Sequence, residues 1–189
     1  FEAPEVIKNT IRGRLMVEQG RAKLGGVEPV LSTLTSLNRL VIVGCGSAYY
    51  AGQVGRYMLE EYAGLATEVE LGSEYRYKKN LPDTHSAVLA ITQSGETADT
   101  LASVRQAKKL DLLTLGVVNA VGSTIARETD AGVYNHAGPE VAVASTKAFI
   151  SQLTVLVLLT LLIGREKDMS QKEGKQIAKE LRELPDILE

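Results

Sequence analysis

The stretch Ala87-Val88-Leu89-Ala90-Ile91-Thr92-Gln93-Ser94-Gly95-Glu96-Thr97-Ala98-Asp99-Thr100 starts apolar, passes through hydroxyls and amides around one glycine, and ends in a helical pattern. Its first six residues carry no charge and are largely apolar at consecutive positions, which suits a strand covered on both faces. Ala98, Leu101, Val104 and Ala107 then recur at near-helical spacing and predict a helix over 98–109 with one buried face. Strand, short polar loop and helix in that order form the repeating unit of a parallel sheet wrapped by helices.

The same alternation extends in both directions. Short β-branched runs at 39–43, 67–71, 112–118 and 131–135 predict four more strands, and helices are expected at about 48–63, 145–163 and 170–184. A further helix over 4–19 is expected ahead of the sheet, with Pro4 in its first turn and Val6, Ile7, Ile11 and Leu15 on one stripe. The fold expected is a single α/β domain over 1–189: a doubly wound five-stranded parallel sheet, in a flavodoxin-like three-layer α-β-α sandwich.

At 189 residues the chain can bury a full core without a staple. A net charge of -2 provides no electrostatic grip on nucleic acid. The lone Cys45 rules out an internal disulfide, and the N-terminus lacks a secretory pattern, so a cytoplasmic setting is expected. Leu153–Ile163 is strongly apolar but too short by itself for a membrane span of about 20 residues, and reads as a buried helix. Neither a membrane nor a nucleic-acid partner is expected.

Ligands of open parallel sheets bind beyond the carboxyl ends of the strands. Three segments belong there: Gly44-Cys45-Gly46-Ser47-Ala48, the loop 92–97, and Val143-Ala144-Ser145-Thr146-Lys147. Thr92, Ser94 and Thr97 offer hydroxyls, Gln93 an amide, and the helix that follows offers unpaired N–H groups carrying about half a positive charge. Together they suit a phosphate monoester held without lysine or arginine, and Gly95 lets the backbone approach it. The same residues also fit a plain helix start, with Ser94 as cap and Glu96 and Asp99 favouring the dipole. Glu96 must turn away if an anion is to sit there.

The glycines at 44 and 46 match the first two of a dinucleotide-binding turn, but Tyr49 occupies the third position, so no such cofactor is expected. Ser47 could bond a sugar hydroxyl or cap a helix. Cys45 is read as a small buried residue rather than a nucleophile. His85 and His136 lack metal-ligand spacing and are expected at the surface, and Lys147 is read as solvated in preference to facing a ligand or an acid partner.

Gln93-Ser94-Gly95-Glu96-Thr97-Ala98-Asp99-Thr100-Leu101 and Val143-Ala144-Ser145-Thr146-Lys147-Ala148-Phe149 resemble the sugar isomerase (SIS) domains of the glutamine:fructose-6-phosphate aminotransferase family. The resemblance takes in the opening FEAPEVIKNTIRGRL and the closing LRELPDILE, and so nearly the whole chain. It implies the first of two SIS domains behind a glutaminase domain, and a homodimer. It also implies binding of fructose 6-phosphate, glucose 6-phosphate or glucosamine 6-phosphate. By this resemblance Thr92, Gln93, Ser94 and Thr97 hold the phosphate, while Ser47, Ala48, Val143 and Ser145 line the sugar. No catalytic residue is implied within this chain, since the family's glutaminase cysteine lies upstream and its isomerisation residues downstream.

Three positions depart from the family pattern: Ser47-Ala48 stands where threonine-serine is usual, and Thr92 where serine is usual. Ala48 therefore lacks one hydroxyl. A phosphosugar-sensing regulator and a related SIS deaminase or deglycase use the same loops and remain open at this point.

Overall fold

The computed structural model describes residues 2–79, 85–140 and 145–188. Along them run α1 (Ala3–Ile11), β1 (Leu15–Met16), β2 (Arg21–Ala22), α2 (Leu31–Thr35), β3 (Arg39–Gly44), α3 (Ser47–Ala63), β4 (Ala66–Leu71) and α4 (Gly72–Tyr75). There follow β5 (Ser86–Thr92), α5 (Ala98–Lys109), β6 (Leu113–Val118), α6 (Thr124–Glu128), β7 (Ala131–Tyr134), α7 (Lys147–Glu166) and α8 (Gln171–Leu188). The last five strands form one parallel sheet in the order β4-β3-β5-β6-β7. This is the five-stranded doubly wound sandwich expected from the sequence.

The two-residue period of each strand divides its side chains between two cores. Leu40, Ile42, Ala87, Leu89, Ile91, Leu115 and Val117 face one core together with α3 and α7. Val41, Val43, Val88, Ala90 and Val118 face the other, against Val104 and Ala107 of α5 and Ile125 of α6. Covering on both faces is why these strands are apolar at successive positions.

Helix α7 is long and apolar enough to cross a membrane, but most of it is buried inside this fold. Leu156, Leu158 and Leu161 are fully buried, and Leu156 lies against Gly55 of α3, where an added Cβ would come within 2.8 Å of it. Truncating such a leucine to alanine costs about 2–5 kcal/mol. The close packing of α3 on the sheet depends on Gly52, whose Cβ would meet Ile42 at 2.8 Å and Val69 at 3.0 Å. The small residue a dinucleotide turn places at position 49 thus lies one turn further along.

Three helices differ from expectation by two residues or more. The first helix ends at Ile11 rather than 19, because the chain turns at Gly13 (φ 70) and Leu15–Met16 pairs antiparallel with Arg21–Ala22. The stripe is nevertheless used: Val6 and Ile7 are buried, and Ile11 and Leu15 pack on the main core, Leu15 from a strand. Helix α7 begins at Lys147 rather than 145 and ends at Glu166 rather than 163. Helix α8 continues through a buried Pro185 to Leu188, past the expected end at 184. A proline so near a helix end removes a single backbone hydrogen bond.

Candidate functional site

The chain leaves β3 through α3 towards β4 on one side of the sheet, and leaves β5 through α5 towards β6 on the other. Where neighbouring strands part in this way, a crevice opens at their carboxyl ends. Here it is a cavity of about 460 Å³, within the size range of small-ligand sites. Its lining brings together Ser47, Ala48, Thr92, Gln93, Ser94, Thr97 and Ser145, seven of the eight residues selected from the sequence. The eighth, Val143, lies outside the described residues.

The floor of the loop is set by Thr92, which is buried. Its Oγ1 accepts the Gly95 N–H at 3.2 Å and lies 3.3 Å from Thr97 Oγ1. This hydroxyl therefore shapes the loop from below, a role the sequence reading did not separate from ligand contact. Ser94 and Thr97 are half-buried. Ser94 Oγ accepts the Glu96 N–H at 3.1 Å, which leaves its own hydrogen free to donate. The helix starts at Ala98, and Thr97 at its N-cap makes no side-chain capping bond, so the first-turn N–H groups of α5 have no side-chain cap. Ser94 is thus not the cap that the plain helix-start reading requires.

Gly95 (φ 68) has a second reason to lack a side chain. An added Cβ would lie 1.9 Å from Ser123 Oγ and 2.4 Å from Ser123 Cβ. The glycine lets the loop rest on the start of α6, a packing role beyond the anion approach expected of it. Glu96 turns outward as an anion site requires, its Oε1 accepting the Thr124 N–H of α6 at 2.7 Å. The Thr124 backbone N–H and hydroxyl, followed by the nearby Arg127, hold the Glu96 carboxyl below its ordinary range.

The neighbouring α7 start is already occupied. Glu140 Oε2 accepts the N–H groups of Thr146 at 3.0 Å and Ala148 at 3.2 Å. Lys147 Nζ pairs with Glu2 at 3.0 Å, which settles its place with an acid partner rather than in solvent. An anion in the crevice therefore finds backbone donors without a side-chain cap at the starts of α5 and α3 rather than at α7.

The lining also includes Cys45, Gly46, Ile91 and Gln152. Cys45 is half-buried with its Sγ 3.7 Å from Thr100 Oγ1, more open than the sequence suggested. Gln152 is fully buried, and neither of its amide atoms has a hydrogen-bond partner. The only sequence signal for it was a polar residue among the apolar ones of the α7 helix. Among the described residues no lysine, arginine, carboxylate or histidine lines the cavity, and His85 and His136 are exposed.

The SIS domain profile matches residues 33–162. Over 186 residues the chain is 47% identical to the glutamine–fructose-6-phosphate aminotransferase (isomerizing) of Chlorobaculum tepidum, covering 98% of this chain and 30% of that protein. Identity to human glutamine–fructose-6-phosphate aminotransferase (isomerizing) 2 is 42%, over 100% of this chain and 28% of that protein. The C-terminal domain of glucosamine-fructose-6-phosphate aminotransferase from Francisella tularensis superposes with a TM-score of 0.91 at 34% identity, covering 99% of this chain and 52% of that one. The chain thus spans about 30% of the length of the curated relatives it matches. With the profile spanning the sheet, the crevice and the helices that build them, the chain belongs to the SIS domain family.

Proposed function

We propose that the crevice binds a hexose 6-phosphate, with the phosphate at the 92–97 loop and the first turn of α5, and the sugar against Ser47, Ala48 and Ser145. One observation carries this reading: seven residues drawn from three separate segments converge on a single uncharged polar cavity beside a helix start without a side-chain cap. Hydroxyls and helix N–H groups suffice to hold a phosphate dianion. The parent chain, on this reading, converts fructose 6-phosphate and glutamine to glucosamine 6-phosphate and glutamate. This chain provides the phosphosugar-binding half of the isomerase region, next to a glutaminase domain and a second SIS domain.

By itself the chain binds and does not turn over. Aldose–ketose isomerisation moves a proton between adjacent carbons and needs a positioned base, and among the described residues the cavity lining offers no carboxylate, imidazole or amine. A homodimer belongs to the same reading; exposed Tyr50, Val54 and Tyr57 on α3 are available for a subunit contact. The apolar stretch Val155–Leu159 of α7 is largely consumed inside the monomer.

Calorimetric titration with fructose 6-phosphate and glucosamine 6-phosphate tests the proposal. Binding is expected, weakened about 10-fold or more by Ser94→Ala or Thr97→Val, since a hydrogen bond to a charged group contributes about 1.5–3 kcal/mol. Absence of heat at millimolar ligand, with the fold intact by circular dichroism, would refute it.

A further inference from the structure

Polar side chains inside a folded protein are nearly always hydrogen-bonded, because water has been removed from them without replacement. Helix α7 follows this rule at most positions. Ser151 Oγ donates to the Asn135 carbonyl at 2.8 Å, Thr154 Oγ1 to the Ile150 carbonyl at 2.9 Å, and Thr160 Oγ1 to the Leu156 carbonyl at 2.9 Å. Gln152 breaks it twice, with donor and acceptor both unsatisfied and the residue 0% exposed. It does so while lining the same cavity as Ser47, Thr97 and Ser145.

We infer that Gln152 is a specificity-determining residue whose amide bonds a hydroxyl or carbonyl oxygen of the bound sugar. The inference rests on the phosphosugar reading given above. A neutral amide presents one acceptor and two donors, which matches a polyol, whose hydroxyls both donate and accept. It carries no charge to attract a phosphate. Its place is on α7, across the sheet from α5, so it belongs to the wall on the sugar side of the cavity. The terminal torsion of glutamine is soft, and one rotation turns the amide towards an arriving hydroxyl.

A residue kept unsatisfied until ligand arrives leaves a signature that a structural glutamine lacks: removing its polarity stabilises the empty protein and weakens the complex. Gln152→Met keeps the unbranched shape and removes the amide. In the 189-residue chain, the variant is expected to melt a few degrees higher without ligand and to bind fructose 6-phosphate about tenfold more weakly. Its affinity for inorganic phosphate should match wild type within twofold. In the wild-type protein, the Gln152 side-chain NH₂ resonances should shift with fructose 6-phosphate and stay in place with inorganic phosphate, a readout that does not depend on how the variant folds. Unchanged fructose 6-phosphate affinity in the variant, equal weakening for both ligands, a lower melting temperature, or NH₂ resonances that ignore the sugar would each overturn the assignment to Gln152. Wild-type protein that binds neither ligand would overturn the phosphosugar reading itself, and this inference with it.

Discussion

Gly95→Ala tests whether the 92–97 loop is held in place by its seat on α6. The new Cβ would stand 1.9 Å from Ser123 Oγ, 2.4 Å from Ser123 Cβ and 2.9 Å from Val118 Cγ1, at a residue whose φ is 68. The left-handed backbone costs an alanine roughly 1–2 kcal/mol, and forcing an extra carbon into packed surroundings adds about 1–3 kcal/mol. The sum, about 2–5 kcal/mol, is a large share of a typical domain's stability. Urea unfolding should show it as a midpoint lowered by about 1–2 M at unchanged slope. Ser123→Gly deletes the two nearest atoms. By itself it should cost about 1 kcal/mol or less, because Ser123 makes no capping bond and its buried hydroxyl has no partner. Combined with Gly95→Ala, it should recover the steric part and leave the backbone part. A coupling energy between the two changes below about 0.5 kcal/mol would place the sites in the independent class and refute the seat.

Three further outcomes are expected. Cys45 is the only cysteine and lines the cavity, so alkylation by iodoacetamide, followed by mass spectrometry, should slow when fructose 6-phosphate is present; equal rates would place the sugar elsewhere. Thr10→Val removes a buried hydroxyl that donates to or shares hydrogen bonds with Val6 O, Asn135 O and Ser151 Oγ, and should lower stability by about 1–2 kcal/mol in urea titrations. Although burial opposes ionisation of Asp130, Lys108 and the hydroxyl and N–H of Thr114 outweigh it and hold its carboxyl below the ordinary 3.8. Such a depressed group stabilises the fold fully above that value and ceases to do so as pH falls through its folded-state value, so the gap between wild type and Asp130→Asn should shrink below about pH 4.

Much of the fold could be read from local pattern, for reasons visible in the packing. The three central strands, buried on both faces, announce themselves as apolar runs, whereas the edge strand β4 carries Glu68 and Glu70 in alternation; all five appear within a residue or two of their expected places. The first helix was overextended because Leu15 continues the apolar stripe of α1, although it reaches the core from the hairpin beyond Gly13. A side chain's destination was read correctly there and its backbone was not. At the cavity, Ser47, Ser94, Thr97 and Ser145 were picked out as hydroxyls at strand ends and helix starts, a pattern that equally fits plain capping, and the family resemblance added their expected roles. Two features were missed. The Thr92 hydroxyl bonds within its own loop, three and five residues on, a role its sequence does not separate from ligand contact, and Gln152 reaches the cavity only because α7 packs beside α3. Contacts between segments far apart in the chain are written in no single window of sequence.

A cavity wall without lysine or arginine among the described residues has a kinetic consequence. A cationic pocket draws anions in over a Debye length and admits them indiscriminately, at a rate that collapses as salt is added. Backbone dipoles at the first turn of α5 act only at contact, so encounter at this crevice runs at the unassisted diffusional pace and changes little with ionic strength. Sulfate, free nucleotides and acidic peptides are consequently not gathered at its mouth, and selection takes place after entry, by fit.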